Sequence, residues 1–208
     1  MGYKTFVSMN IAIVSTGDAG DMYATAFAFA GHDVYMAWKD GEIPAPNPML
    51  AEFDNVHVCS IEEAAEVADL VIIATAPRDV REVAYWLGDV RRKVIIDASG
   101  NIDVPYNEAV QTACAIGAIT GSQHVVKVFN ARGYEQILKP LFKGDAIELL
   151  MAGDSKKAKE ITKILAVELG ITATYDLGTS DTIPLFDELT KCWRSLAATQ
   201  NVAAVQVA

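Results

Sequence analysis

A short turn near the start of the chain carries residue types that could bind a phosphate. The turn reads Ser15-Thr16-Gly17-Asp18-Ala19-Gly20 and lies between an apolar run and a stretch of small residues. Gly17 would let the backbone approach a pyrophosphate, and Gly20 would let a following helix pack closely on the preceding strand. The free N–H groups and the positive dipole end at the start of such a helix favour anions. This turn is therefore typical of the first strand-to-helix connection in a dinucleotide-binding domain.

Three residues depart from the regular glycine pattern of such turns. Ser15 stands where the first glycine is expected, and Asp18 and Asp21 bring negative charge to the place where a phosphate would bind. Carboxylates repel a pyrophosphate at short range, unless they point into solvent and favour the helix dipole instead. The turn therefore leaves two hypotheses open: a domain that binds a dinucleotide, and a related domain that has lost its nucleotide.

The end of the second predicted strand distinguishes between two cofactors. An acidic residue there would accept hydrogen bonds from a free ribose 2′-hydroxyl, whereas a basic residue would pair with a 2′-phosphate. The chain reads Ala37-Trp38-Lys39-Asp40, so the basic residue comes first, and Trp38 could stack near an adenine. The pattern therefore favours NADP over NAD, although Lys39 could also be a solvent-exposed charge at a strand end.

Short apolar runs alternate with helical segments along the chain, and these elements must position the turn. Several runs are apolar almost throughout, which is typical of parallel strands covered on both faces. Alternation of this kind implies βαβ units with right-handed crossovers. The predicted strands are Ile11–Ser15, Asp33–Trp38, Val56–Cys59, Leu70–Thr75, Val94–Ala98, Val125–Phe129, Ile147–Met151 and Thr172–Tyr175. The predicted helices are Gly20–Ala30, Ile61–Ala68, Val80–Leu87, Tyr106–Ala115, Lys156–Leu169 and Thr182–Ala198.

The predicted fold class is α/β: a Rossmann-type, doubly wound, mostly parallel sheet of about eight strands with a short C-terminal helical tail. A length of 208 residues predicts a single domain. Within it, we expect a nucleotide-binding core over residues 11–130 and additional strands and C-terminal helices over residues 131–208. The proline-containing connection from Lys39 to Asn55 is either functional or a surface excursion. The last predicted helix has an apolar stripe, which either packs on the sheet or forms a homodimer seam or a lid.

Composition and charge exclude several classes of function. The net charge is −10 and no run of Lys or Arg is longer than three residues, so the sequence predicts a small-molecule substrate and no nucleic-acid partner. No stretch approaches the ~20 apolar residues that a membrane span requires. The three cysteines are scattered without metal-like spacing, which predicts reduced thiols in a cytoplasmic protein and no metal site.

Several segments, in order and at matching spacing, resemble the NADP-dependent oxidoreductases related to coenzyme F420:NADP oxidoreductase. Relatives of that family include the cytosolic domains of ferric-reducing metalloreductases. No single motif is highly specific, but the ordered set covers nearly the whole chain. The matching stretches are Ile11–Gly20, Gly31–Val34, Asp69–Pro77, Lys93–Ala98, Val126–Asn130, Met151–Asp154 and the tail from Asp176 to Leu189.

The resemblance implies which residues would form the cofactor site. It places one group along the pyrophosphate, a second at the adenosine 2′-phosphate and a third near the ribose and the nicotinamide. The pyrophosphate group is Thr16, Gly17, Asp18 and Ala19, and the 2′-phosphate group is Trp38 and Lys39. The third group is Ala74, Thr75, Ala76, Pro77, Ser99 and Asn130.

The reaction that the resemblance implies is hydride transfer between NADP(H) and a flavin or a deazaflavin such as coenzyme F420. Such a transfer needs the positioning of two rings more than a side-chain acid or base, so no catalytic residue is predicted. The family usually has a threonine-asparagine-proline run where this chain has Ser99-Gly100-Asn101. The alternative is a non-catalytic dinucleotide-binding or sensor protein with a degenerate glycine turn.

Overall fold

The structure is a computed structural model that describes residues 7–15, 18–38, 50–99, 111–130 and 148–185, with the backbone alone at positions 18, 129, 130 and 148. The described residues contain one sheet of eight strands. The strands are β1 (Asn10–Ser15), β2 (Asp33–Trp38), β3 (Val56–Val58), β4 (Leu70–Ala74), β5 (Val94–Asp97), β6 (Val125–Asn130), β7 (Glu148–Ala152) and β8 (Ala173–Asp176).

The order of the strands confirms the predicted doubly wound fold. The order is β3-β2-β1-β4-β5-β6-β7-β8. The chain first adds β2 and β3 on one side of β1, then crosses over β1 and adds β4 to β8 on its other side. Strands β1 to β6 are parallel to one another, β7 runs antiparallel to β6, and β8 is parallel to β7. The central strands are buried on both faces, which explains why their sequences are apolar almost throughout.

Helices cover both faces of the sheet. They are α1 (Asp18–Ala30), α2 (Ile61–Val67), α3 (Val80–Trp86), α4 (Thr112–Thr120) and α5 (Lys156–Glu168). Alternate residues of each strand point to opposite faces. Ile13 therefore packs with Phe27 of α1 and Leu165 of α5, whereas Val14 packs in a second apolar cluster with Val83 of α3.

Local signals in the sequence set the ends of α2 and α5. The hydroxyl of Ser60 accepts a hydrogen bond from the N–H of Glu63, and the carboxylate of Glu63 accepts one from the N–H of Ser60, a complete capping box. Ser155 caps α5, and Gly170 follows that helix with a φ of 72°. A left-handed residue of this kind ends a helix because the chain must turn away from the helix axis.

The predicted helix Tyr106–Ala115 is wrong at its C-terminal end. Residues 106–110 lie outside the described residues, and α4 continues to Thr120, five residues past the predicted end. The helix stops at Gly121, which has a φ of 68° and donates its N–H to the carbonyl of Gly117. Burial of Ile116 in the second apolar cluster stabilises this added length.

Two further predictions fall largely outside the described residues. Of the connection from Lys39 to Asn55, the described part contains a short 3-10 helix over Leu50–Glu52, whose Leu50 is buried in the core. Of the last predicted helix and its apolar stripe, Ile183 is described and is buried, and residues 186–208 lie outside.

Candidate dinucleotide site

The carboxyl ends of the central strands lie level at one edge of the sheet. Ser15, the last residue of β1, pairs in register with Trp38 on one side and with Ala74 on the other. Ile73 pairs with Asp97, so the residues that follow β4 and β5 leave the sheet at the same height. Since β1 is the strand at which the winding reverses, a crevice is expected between the chain segments that follow β1 and β4, where doubly wound folds bind ligands.

Gly20 allows α1 to lie directly on the end of β1. Helix α1 begins at Asp18, so positions 16 and 17 alone separate it from β1. A Cβ atom on Gly20 would overlap the Cβ and the Oγ of Ser15, which is 1% exposed. The predicted role of Gly20 in close packing is therefore confirmed. Ser15, the departure from the glycine pattern, fills core space between β1 and α1.

Thr75 carries a hydroxyl that has no partner within the described residues. Thr75 directly follows β4 and is 4% exposed, yet its Oγ1 has no hydrogen-bond partner among the described residues. A buried hydroxyl without a partner costs free energy, so such groups are uncommon in folded proteins and call for an explanation. A hydroxyl or amide of a bound nucleotide at this edge would supply the missing partner. The residues here therefore fit a dinucleotide.

The comparison with known families agrees with this geometry. Residues 10–101 match the family model of coenzyme F420-dependent NADP oxidoreductases. The resemblance predicted from the sequence is thus confirmed over these residues, which include β1 to β5 and the edge described above.

Solved structures share the fold over most of the chain. A candidate F420-dependent NADP reductase from Arthrobacter sp. is 24% identical, has a TM-score of 0.78, and is matched over 97% of this chain and 100% of its own. A hypothetical protein from Sinorhizobium meliloti is 22% identical, with a TM-score of 0.66 over 86% of this chain and 88% of its own. A reductive aminase from Aspergillus terreus, in complex with NADPH and ethyl levulinate, is 16% identical with a TM-score of 0.68. Of that longer enzyme the match covers 64%, against 93% of this chain.

The structure brings together some of the residues that were predicted to bind a cofactor. Ala74 and Thr75 lie at the end of β4, and Pro77 is the first residue of a short 3-10 helix that leads into α3. Pro77 therefore also has the structural role of starting a helix. Trp38 is half-buried and packs on the core beneath α1, whereas its stacking on an adenine stays a prediction.

Other predicted site residues cannot be placed with their side chains. Thr16, Gly17 and Lys39 lie outside the described residues, and Asp18 and Asn130 are described by their backbone alone. The backbone of Asn130 ends β6, three residues beyond the pairing of Lys127 with Asp97, and so lies at the same edge of the sheet. Ala19 is half-buried in the first turn of α1.

A buried polar cluster beside Ser99 was missed by reasoning from the sequence. Asp97 of β5 and Lys127 of β6 are paired in register and form an ion pair with 3.1 Å between Lys127 Nζ and Asp97 Oδ2. Ser99 and Thr112 donate their hydroxyls to the same carboxylate, and all four residues are buried. The sequence does contain an indication of this pair, because two neighbouring apolar strands each carry one charged residue and the two charges have opposite signs. Charges buried in this way are usually paired.

Nucleophiles and bases outside this edge do not contribute to the site. Burial raises the pKa of the Cys59 thiol, and the carboxylate of Glu63 raises it further, so this cysteine stays protonated at neutral pH. His32 and His124 precede β2 and β6 at the opposite edge of the sheet and bond to Glu168 and Ser155. Across the described part of the chain, no group of three or more His, Cys, Asp or Glu residues could hold a metal ion. Within the same residues, no helix is long and apolar enough to span a bilayer.

Proposed function

We propose that the protein is an NADP(H)-dependent oxidoreductase that transfers hydride between the nicotinamide and a flavin or deazaflavin-like acceptor. The observation that carries this proposal is the buried hydroxyl of Thr75 at the level edge of the sheet, which has no partner in the described part of the chain. It lies within the residues that match a family of NADP oxidoreductases. A ligand that completes this hydrogen bond explains why the chain tolerates the hydroxyl there.

The residues at this edge divide the cofactor into two halves. The start of α1, with Thr16, Gly17, Asp18 and Ala19, would bind the pyrophosphate, and Trp38 and Lys39 would bind the adenosine 2′-phosphate. Ala74 to Pro77, together with Ser99 and Asn130, would lie along the ribose and the nicotinamide. The bound cofactor would supply the hydride, while the protein fixes the nicotinamide and keeps its own side chains out of the chemistry.

Positioning is sufficient chemistry for this reaction. A nicotinamide and a flavin-like ring react once they are held face to face, because the transfer needs proximity and orientation rather than an activated side chain. In agreement, two of the titratable side chains near this edge, Asp97 and Lys127, form a buried ion pair with each other. The family description names coenzyme F420, which supports a deazaflavin as acceptor.

Titration of the protein with NADPH and with NADH, by fluorescence and by calorimetry, tests the cofactor. We expect tighter binding of NADPH, because Lys39 would pair with the 2′-phosphate. In the variant Lys39→Ala the affinity for NADPH should fall about tenfold and the affinity for NADH should stay unchanged. Lys93→Ala is the matched control, since Lys93 donates to the carbonyls of Ala65 and Glu66 at the end of α2.

Mixing NADPH with oxidised F420 or FMN and following the loss of NADPH absorbance tests the reaction. Turnover with either acceptor supports the proposal. Tight binding of NADPH without turnover would favour the alternative, a non-catalytic dinucleotide-binding or sensor protein. No binding of NADPH or NADH at near-millimolar concentration would contradict both.

A further inference from the structure

In the buried cluster of Asp97, Ser99, Thr112 and Lys127, every polar group of Ser99 forms a hydrogen bond. Ser99 is also a residue of the proposed cofactor site. The N–H and the hydroxyl of Ser99 both donate to Asp97 Oδ1, the first at 3.0 Å. Lys127 Nζ donates to the carbonyl of Ser99 at 2.5 Å and lies 3.0 Å from its hydroxyl. The backbone donor, the backbone acceptor and the side chain of Ser99 are therefore all fixed.

The cluster is also saturated with hydrogen bonds. The carboxylate of Asp97 accepts from Ser99, from Thr112 at 2.5 Å and from Lys127. The ammonium of Lys127 has three protons, and oxygens of Asp97, Ser99 and Thr112 surround it within 3.1 Å. Both charged side chains are almost completely buried, at 3% and 0% exposure. Within the described residues, every N–H and O–H donor of the Asp97, Ser99 and Lys127 side chains is thus directed at another member of the cluster rather than at a ligand.

Stability alone does not account for this arrangement. A buried ion pair loses the hydration of both charges, and apolar residues of similar volume are often as stabilising or more so. The neighbours of Asp97 and Lys127 along their strands are apolar and buried, so apolar residues would suit these two positions as well. Apolar residues at positions 97 and 127, however, could not form hydrogen bonds with the N–H, the hydroxyl and the carbonyl of Ser99.

Ser99 lies where a fixed position matters for the proposed function. Ala98 donates its N–H to the carbonyl of Ile73, which places Ser99 beside the chain that leaves β4 at Ala74 and Thr75. Thr75 carries the unpartnered hydroxyl. These residues belong to the nicotinamide half of the proposed site: β4 lies directly beside β1 and β5 one strand further, on the side of β1 opposite to β2, whose end would hold the adenosine.

We infer that Lys127 and Asp97 are positioning residues, which act through Ser99 to set the nicotinamide half of the cofactor site. This inference rests on the proposed function. It predicts that the pair affects the binding of a whole cofactor and leaves the binding of its adenosine half unchanged. A purely structural pair would affect both ligands together or neither.

The test compares the affinities for NADPH and for adenosine 2′,5′-bisphosphate in the wild type and in Asp97→Val/Lys127→Met. Replacing both charges keeps an apolar core of similar volume, so the variant is expected to fold. NADPH should bind about tenfold more weakly, whereas the bisphosphate should bind as in the wild type. Adding Ser99→Ala to the double variant should cause little further loss, because residues that act through one another are not additive.

The matched control is Asp176→Val/Lys159→Met. Lys159 of α5 is another largely buried lysine paired with an aspartate, with 2.6 Å between Lys159 Nζ and Oδ1 of Asp176, the last residue of β8. Its removal should change neither affinity. Circular dichroism and thermal unfolding report whether each variant folds. If Asp97→Val/Lys127→Met does not fold, Thr112→Val replaces it, because this substitution removes only the hydrogen bonds that the Thr112 hydroxyl forms with Asp97 and Lys127. The same comparison, of the affinity for NADPH with the affinity for the bisphosphate, then tests the inference.

The outcomes separate this inference from the proposed function. A selective loss of NADPH affinity in the cluster variants supports it. Equal losses for both ligands, or none for either, would overturn it while the proposed function stands. A wild-type protein that binds neither ligand would overturn the proposed function, and this inference with it.

Discussion

At the scale of single residues, one buried hydroxyl without a partner in the described part of the chain marks the candidate site. Most buried hydroxyls in the described part of the chain have partners: Thr162, for example, donates to the carbonyl of Ala158, one turn back in α5. Thr75 differs, since its buried Oγ1 has none. A group that is costly in the unliganded protein and useful in the complex is typical of a binding site.

Thr75→Val should therefore separate stability from binding. Removing a buried hydroxyl without a partner should raise the free energy of unfolding by about 0.5–1 kcal/mol. The affinity for NADPH should fall about tenfold at the same time. Urea unfolding and calorimetry measure the two effects.

Thr162→Val is the control for this substitution, because its hydroxyl already has a partner. We expect it to lower the free energy of unfolding slightly and to leave NADPH binding unchanged. A Thr75→Val protein that binds NADPH as the wild type does would show that this hydroxyl faces no cofactor.

At the scale of elements, the contact between β1 and α1 depends on the pair Ser15 and Gly20. In dinucleotide-binding turns, glycine at the last position brings the helix close to the strand. Here a serine replaces the first glycine, and its side chain occupies the space that a Cβ on Gly20 would need. The two positions are therefore coupled, and the serine is part of the packing rather than a defect in the turn.

Gly20→Ala should thus be destabilising by about 2 kcal/mol, although alanine normally favours a helix over glycine. The double variant Ser15→Gly/Gly20→Ala should recover most of that loss, because it removes the overlapping side chain. Thermal and urea unfolding of the single and double variants measure the coupling.

Gly117→Ala provides the contrast, because a Cβ there would meet Ser122 and Val125 at ordinary distances of 3.6 Å and 3.9 Å. It should be neutral or slightly stabilising. Equal destabilisation by the two glycine substitutions would argue against the coupling of positions 15 and 20.

A buried pair, His32 and Glu168, joins the turn between α1 and β2 to the last residue of α5 at the other edge of the sheet. The N–H of Met9 donates to His32 Nδ1, so the ring proton resides on Nε2 and is donated to Glu168 Oε2 at 2.8 Å. Both side chains are at most 4% exposed. The neutral imidazole therefore fixes the carboxylate through one hydrogen bond.

Glu168→Ala should lower the free energy of unfolding by about 2 kcal/mol, because it leaves the Nε2–H of His32 buried without an acceptor. Glu168→Gln keeps an acceptor and removes the buried charge, so its loss should be smaller. Urea unfolding at neutral pH ranks the two variants. A larger loss for glutamine than for alanine would show that the charge, rather than the hydrogen bond, matters here.

At the scale of the whole molecule, acidic side chains dominate the surface and make its stability depend on pH. Hydrogen bonds from Ser60 hold the pKa of Glu63 below its usual range, and Arg91 lowers the pKa of Asp89 to about 2. Hydrogen bonds from Ser180 lower the pKa of Asp154. Each of these carboxylates has a lower pKa in the folded than in the unfolded chain, so it stabilises the fold when it is ionised.

The free energy of unfolding should accordingly be constant near neutral pH and fall as the pH drops from about 4.5 towards 2. The groups are largely solvent-exposed, so each contributes modestly. Urea unfolding at a series of pH values measures the slope. Ser180→Ala should make it shallower, because the hydroxyl no longer favours ionised Asp154. A slope unchanged in this variant would remove Asp154 from the explanation.

The sequence by itself determined the order and the type of nearly all the described elements. Continuous apolar runs specify buried strands, so both ends of each strand from β1 to β8 lie within one residue of the predicted bounds. Glycine turns and capping residues act over a few positions and are equally readable, as Ser60 and Ser155 show. Helix α4 was misplaced, because its end depends on the left-handed Gly121 and on what Ile116 packs against.

Only the tertiary structure decided how the candidate site is held together. The partner of Asp97 lies on the next strand, 30 positions along the chain, and sequence spacing contains no information about register between strands. The overlap of Ser15 with Gly20 and the missing partner of Thr75 likewise follow from distances through space. The sequence contains residue types that could bind a cofactor. Burial and contact between distant segments decide that Ser99 is held by hydrogen bonds, that Ser15 packs in the core and that the hydroxyl of Thr75 lacks a partner among the described residues.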